Sequence, residues 1–249
     1  MIMSHTPIQP LLELKNVTRR YQVGDTIIRA LDGVSVTVQP GEFIAVMGPS
    51  GSGKSTFLQI ASMLATPSTG SIFLKGKDVT TYNEVERARL RNKEIGFVFQ
   101  QFNLLPRTSA LDNVKLPLIY ARVSEREQNE RAKTMLEAVG LADRMRNNPA
   151  QLSGGQQQRV AIARALINDP SIIFADEPTG NLDTKSGHDI ILLLRDLHKN
   201  GKTIIMVTHE EEIAAAAKRQ IRFVDGKIVH DTLSDFSVKS RKKLKKGNS

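Results

Sequence analysis

Three glycines at 48, 51 and 53, followed by Lys54 and Ser55, carry the clearest chemistry in the chain. The run Gly48-Pro49-Ser50-Gly51-Ser52-Gly53-Lys54-Ser55 fits the spacing G-x-x-x-x-G-K-[ST]. Glycines let the backbone approach a phosphate and turn N–H groups toward it, and a helix opening at Gly53 adds a favourable dipole. Lys54 is then placed for the β- and γ-phosphates of a nucleotide, and the Ser55 hydroxyl for Mg2+. A second cluster lies far along the chain. Asp176 and Glu177 close the apolar run Ser171-Ile-Ile-Phe-Ala175. Two acids after an apolar strand are ordinarily a solvated strand end, but opposite a phosphate loop they gain roles. Asp176 is expected at Mg2+, directly or through water, and Glu177 as the base that polarises an attacking water.

Both clusters need strands that deliver them to one edge of a sheet. Short apolar runs alternate with longer segments of helical period, the pattern of an α/β domain with a mostly parallel sheet. Strands are expected at Leu11–Val17, Val34–Val38, Glu42–Met47, Ser71–Leu74, Ile95–Phe99, Ser171–Ala175, Thr203–Thr208, Ile221–Val224 and Lys227–His230. Helices are expected at Gly53–Leu64, Ser124–Val139, Gly154–Asn168 and Thr184–His198. In the last, Ile190, Leu193, Leu194 and Leu197 fall on one stripe. Asp225-Gly226 between the final two strands is a hairpin signal, read as part of an antiparallel side sheet. The region from about 83 to 150 is more charged and more helical than its flanks and reads as a helical insertion.

Composition narrows the setting. The chain has 249 residues with 40% apolar and 24% charged side chains, ordinary for a folded domain. The longest uncharged stretch, Ser55–Leu74, is broken by Pro67 and Gly70 and does not suit a membrane span. The first ten residues lack the pattern of a signal peptide. The absence of cysteine excludes disulfides, thiolate catalysis and thiolate zinc sites. The expectation is a cytoplasmic chain that serves a membrane only through a partner. Of the net charge of +9, six positive residues lie in Lys239–Ser249, so the body is nearly balanced. The tail, 233–249, reads as solvated and disordered, or as attracted to anionic lipid headgroups. Nucleic acid ranks below lipid because no aromatic residue lies among the lysines to stack on bases.

Leu152-Ser153-Gly154-Gly155-Gln156, followed by QQRVAIARAL, separates this chain from other phosphate-loop proteins such as kinases and GTPases. Here the sequence resembles the ATP-binding cassette (ABC) family, the ATPase subunits of membrane transporters, over about Leu11 to Val229. The resemblance implies a P-loop NTPase core with a mostly parallel sheet, an antiparallel β side sheet and a helical insertion. It implies a nucleotide-binding domain over 11–232, after an N-terminal extension of residues 1–10. ATP and Mg2+ follow as ligands, and the nucleotide contact extends over the whole run from Gly48 to Thr56. Two copies are expected to dimerise head-to-tail, with Ser153, Gly154, Gly155 and Gln156 of one copy closing on the ATP of the other. The resemblance further assigns Tyr21 to adenine stacking, Gln100 to Mg2+ and water, Asp183 to the dimer interface, and His209 to the γ-phosphate. Catalysis thus falls to Glu177, His209, Lys54 and Gln100.

FVFQQFNLLP, ADEPTGNLD and VAIARAL look most like cassettes serving lipoprotein release, macrolide or peptide export, and cell division. The segment QIASMLATPSTG departs from that subgroup, which usually has a glycine-containing turn ending in Leu-Asp. The implied complex sits on the inner face of the cell membrane and drives a permease, with Phe102, Leu104 and Leu105 available to dock it. The alternative from another class is a soluble ABC ATPase acting on nucleic acid or ribosomes.

Overall fold

A computed structural model describes residues 9–233. The expectations for residues 1–8 and for the basic tail beyond 233 lie outside the described residues. Two long strands, β1 (Leu12–Val23) and β2 (Thr26–Val38), form an antiparallel hairpin. β1 also pairs antiparallel with β4 (Thr69–Leu74), which takes the short β5 (Lys77–Asp78) on its other edge. A six-stranded sheet comprises β3 (Phe43–Met47), β6 (Ile95–Val98), β7 (Ile172–Asp176), β8 (Thr203–Val207), β9 (Arg219–Val224) and β10 (Lys227–Asp231). Its order is β10-β9-β3-β8-β7-β6, parallel throughout except for β10.

The core strands β3, β7 and β8 are short and almost wholly apolar because both faces are covered, with Thr203 and Asp176 at strand ends. Ile44 and Val46 of β3, Ile172 and Phe174 of β7, and Ile205 and Val207 of β8 pack into a core shared with the side sheet. The alternate residues, Phe43, Ala45, Ile173, Ala175, Ile204 and Met206, face a second core on the opposite side. Helix α1 (Lys54–Ala61) fills the first core with Phe57, Leu58 and Ile60. Helix α6 (Thr184–Lys199) closes the second with Ile190 and Leu194, and Leu193 and Leu197 of its stripe pack at the margin.

The segment 83–150 is not uniformly helical. Helix α2 (Glu84–Glu94) runs directly into β6, which belongs to the parallel sheet beside β7. Helices α3 (Ala110–Tyr120) and α4 (Glu125–Ala138) then enclose a third core with α5 (Gly154–Leu166), built from Val114, Leu118, Leu136 and Val160.

The Asp225-Gly226 hairpin forms as its sequence requires, but it does not build the side sheet. β9 pairs in parallel with β3, so the hairpin is the edge of the main sheet, while the side sheet comes from the N-terminal third of the chain. In the unusual QIASMLATPSTG segment the turn directly after α1 is made without glycine. Ser62, the C-cap of α1, has φ −86°, and the left-handed turn falls on the buried Met63 instead.

At the end of β3 away from the phosphate loop, the buried Arg219 joins the sheets. Its guanidinium is bidentate on Asp231 (3.0 and 2.7 Å) and donates to Glu42 (2.9 Å) and to the Thr37 carbonyl of β2 (2.7 Å). Removing one partner of a buried pair leaves a desolvated charge, so Asp231→Ala should cost ~3 kcal/mol of unfolding free energy. Arg219→Met should cost less, and urea denaturation compares the two.

Candidate functional site

The phosphate loop leaves β3 and enters α1 between two strand carbonyls. Gly48 has φ 146°, and a Cβ there would lie 2.2 Å from the Phe223 carbonyl oxygen. Gly53, the N-cap of α1 with φ 103°, would place a Cβ 2.4 Å from the Ala30 carbonyl oxygen. Glycine at these two positions is therefore a steric demand of the packing as well as of the turn. The loop is held by Ser52 N–H donating to the Pro49 carbonyl (3.2 Å) and Gly226 N–H donating to the Ser52 carbonyl (3.0 Å). Lys54, only 8% exposed, donates from Nζ to the carbonyls of Gly48 and Pro49, both at 2.8 Å. The ammonium thus caps the loop's own carbonyls until a stronger anion competes. The Ser52 hydroxyl is buried without a partner.

The loop, with Ser55 and Thr56, lines an open cavity of about 1550 Å³ whose far wall includes Glu177, His209 and Arg222. Asp176 ends β7 and is paired in register with Val207 of β8. Burial raises its pKa above the ordinary aspartate value, the Glu177 carboxylate adds to the rise, and Lys54 opposes it. Among the described residues, no side chain hydrogen-bonds the Asp176 carboxylate. Glu177 follows in the left-handed region (φ 43°), its N–H donating to the Val207 carbonyl at 3.0 Å. A left-handed glutamate costs about 1–2 kcal/mol. Its Oε1 lies 3.1 Å from His209 Nδ1. The imidazole is mostly exposed to the cavity, whereas Glu177 is three-quarters covered.

These residues fit Mg2+ and nucleotide phosphates. A carboxylate with no hydrogen-bonding partner lies within electrostatic reach of a lysine, beside a loop whose Gly48 and Gly53 leave no room for a side chain. No cluster of three or more His, Cys, Asp or Glu converges among the described residues. A metal here would therefore complete its shell with phosphate oxygens, as Mg2+ does.

Tyr21, Gln100, Asp183 and the Ser153–Gln156 loop do not line this cavity. Tyr21 lies on β1 opposite Ile28, which does line it, with the Arg19 guanidinium 4.6 Å from the Tyr21 ring centre. Gln100 follows β6, its carbonyl accepting from Asn181 Nδ2 at 3.0 Å. Asp183 caps α6 by accepting from Ser186 N–H at 3.0 Å, and hydrogen bonding to the Ser186 side chain, then to its backbone, lowers its pKa. Ser153 caps α5 in a reciprocal box with Gln156. Gly155 packs so closely on α6 that a Cβ would meet Ser186 Oγ at 2.9 Å. The signature loop and Asp183 therefore lie at adjacent helix starts, outside the cavity that holds Lys54 and Glu177. Of the apolar residues expected to dock a partner, Phe102 and Leu104 are half-buried, Leu104 against the helical core, and Leu105 is exposed.

The sequence reading missed three side chains that organise these loops. Gln158 and Asn113 are fully buried polar residues, and Arg164 is drawn into the protein far enough that burial lowers its pKa. Asn113 donates to the carbonyls of Leu105, Thr108 and Ser109 and accepts from Leu105 N–H. Polar residues on the inner face of a helical pattern were the available signal.

A strand–glycine loop–helix unit with a carboxylate ending another parallel strand of the same sheet, one strand removed, defines a phosphate-loop nucleotide-binding domain. The ABC transporter family model matches residues 31–180. The chain belongs to the ABC transporter family and is an ATPase domain of it. It is 55% identical over 221 residues to the macrolide export ATP-binding/permease protein MacB of Chlorobaculum tepidum, covering 89% of this chain and 34% of that one. It thus spans about a third of the length of such relatives. An uncharacterized ABC transporter ATP-binding protein of Thermotoga maritima is 51% identical and is covered over 94% of its length. Among solved structures, the dimeric post-hydrolysis state of the cassette MJ0796 bound to ADP and Pi superposes with a TM-score of 0.82 at 46% identity. It covers 88% of this chain and 97% of that one. These likenesses do not favour the soluble, nucleic-acid or ribosome alternative.

Two outcomes follow from the geometry. Ser153→Ala should lower the unfolding free energy by ~1 kcal/mol through loss of the cap, and Ser153→Asp should retain most of it. Because the pKa of Asp176 is raised on folding, its ionisation destabilises the nucleotide-free protein as pH rises above the ordinary aspartate value. Asp176→Asn should therefore raise the melting temperature of the nucleotide-free protein at neutral pH. Differential scanning fluorimetry should find the gain shrinking as pH falls toward about 4.

Proposed function

We propose that two copies of this chain bind two ATP molecules between them, close head-to-tail, and drive a membrane permease of the lipoprotein-release or macrolide-export type. The observation that carries this reading is the division of the site. Lys54, Glu177 and His209 share one cavity, while a capped, anion-ready helix start at Ser153–Gln156 lies outside it. A second protomer supplies the missing half, in keeping with the dimeric MJ0796 cassette.

Ser55, Asp176 and Gln100 are the residues that would hold Mg2+, which when bound offsets negative charge on the phosphates. Lys54 exchanges the Gly48 and Pro49 carbonyls for phosphate oxygens. Glu177, held by the Val207 carbonyl and by His209, takes the proton of the attacking water at Oε1. His209 Nδ1 steadies that carboxylate while the rest of its exposed ring faces the γ-phosphate position. Hydrolysis and charge separation then reopen the dimer. Tyr21, beside the cavity wall, is assigned to the adenine after the dimer closes.

Among the described residues no helix is long and apolar enough to cross a membrane. The domain architecture over 11–232 and the place of the chain on the cytoplasmic face, bound peripherally through its permease, belong to this proposal. An open groove of about 960 Å³ between α2 and α3, lined by Leu64, Val85, Ala88, Phe97 and Tyr120, offers the permease an apolar seat. Leu64, Val85 and Tyr120 are 44%, 59% and 78% exposed. This replaces Phe102 and Leu104, which are partly occupied by internal packing.

Glu177→Gln should lower kcat by ~10²-fold or more and trap an ATP-bound dimer on size exclusion. Turnover at the parental rate would overturn the general-base assignment. Val85→Asp should abolish co-purification with the permease from solubilised membranes while leaving the ATPase rate of the isolated chain within about twofold.

A further inference from the structure

The buried amide of Gln158 has no part in the chemistry described so far, yet it touches the backbone of both loops that carry it. Gln158 lies on α5, two residues after the signature glutamine, and is 0% exposed. Its Nε2 donates to the Pro178 carbonyl at 2.7 Å and, at 3.4 Å, to the Phe99 carbonyl. Pro178 follows Glu177, and Phe99 precedes Gln100. The Oε1 atom is buried with no partner. A primary amide has two N–H donors; here they meet the Pro178 carbonyl, which has no other donor among the described residues, and the Phe99 carbonyl, which also accepts from Phe102 N–H at 3.3 Å. Hydrogen-bonding one end while leaving the other orphaned costs free energy that an apolar side chain would avoid.

The same helix grips the Gln100 loop again. Arg164 donates to the carbonyls of Phe102 (2.8 Å) and Asn103 (2.6 Å), two successive residues held at φ 59° and 50°. α5 therefore holds backbone on both sides of Gln100 as well as directly after Glu177. Its N-terminus is the signature loop.

We infer that Gln158 is a positioning residue: it couples the orientation of the signature helix to the placement of Gln100 and Glu177, so that engagement of Ser153–Gln156 sets both loops together. The inference rests on the proposed roles of Glu177 and of the signature loop. Backbone shifted by about 1 Å at a catalytic group is enough for a large loss of rate. Nucleotide affinity, which depends on the phosphate loop, has no contact with Gln158.

The test is steady-state ATPase kinetics and fluorescent-nucleotide binding on the full chain carrying Gln158→Met, which keeps length and removes the donor. The expected result is a kcat reduced by ~10-fold or more, with KM and nucleotide affinity within about twofold and a melting temperature within about 5 °C of the parent. A kcat within about twofold of the parent overturns the inference, and so does a rate loss that merely tracks lost stability or raised KM. Should the Met variant fail to fold, Gln158→Asn keeps the amide but is one methylene too short to reach both carbonyls, and the same split is expected. If neither folds, the role is structural and the inference falls. Glu177→Gln measured in parallel separates the two readings. If it retains turnover, the proposed mechanism fails. If it loses turnover while the Gln158 variants do not, only the coupling fails.

Discussion

The close approach of the phosphate loop to two strand carbonyls is the constraint on which the rest of the molecule turns. Gly48 lies against Phe223 of the main sheet and Gly53 against Ala30 of the side sheet. The Gly226 N–H binds the loop at Ser52 while its carbonyl accepts from Asp32 N–H of β2 at 2.9 Å. The loop is therefore the junction where the two sheets meet, and its shape is set by both. Arg219 makes the corresponding junction at the opposite end of β3. Between them the shared core of Ile44, Val46, Phe57 and Phe223 fills the space. A rigid loop lets backbone N–H groups meet phosphate without reorganising, the condition under which such groups contribute most to catalysis.

The parallel sheet was largely legible because its strands are buried on both faces and read as unbroken apolar runs. Helices α4 and α5 were legible at their starts because Ser124 and Ser153 cap them. The outer halves of β1 and β2 were not. From Arg20 to Arg29 the hairpin is mostly exposed on both faces, so neither alternation nor an apolar run marks it, and the Gly24-Asp25 turn was the sole cue. α2 lacks an apolar stripe and is held instead by an Asn83–Glu86 capping box and by Arg91 donating to the Met63 carbonyl at 2.9 Å. α3 contains Pro117, an argument against a helix, which this one absorbs by packing Val114 and Leu118 into the third core.

The site divides in the same way. Contiguous motifs revealed Lys54, Ser55, Asp176 and Glu177, because a strand followed by a turn fixes where each side chain emerges. Which elements lie beside them was not in the motifs. Gln158 and Arg164 act on backbone carbonyls 20 to 62 positions away along the chain, and a carbonyl has no residue identity for a sequence reading to match. Buried side chains that satisfy distant backbone are for this reason the last part of a site to become visible.

Of the nine left-handed non-glycine residues among those described, three, Glu177, Phe102 and Asn103, lie at or beside a contact from α5. At about 1–2 kcal/mol apiece, such conformations persist only where neighbouring bonds leave no cheaper arrangement. The carbonyls of Pro178, Phe102 and Asn103 are satisfied by two donors of one helix, the buried Gln158 and the half-buried Arg164, so relaxing either loop removes a donor as well as an acceptor. That makes intermediate positions costly and two discrete ones preferable, because packed, hydrogen-bonded interfaces deform poorly. If, as proposed, the N-terminus of this helix meets the nucleotide of a second copy, a helix that moves as a body shifts both loops or neither.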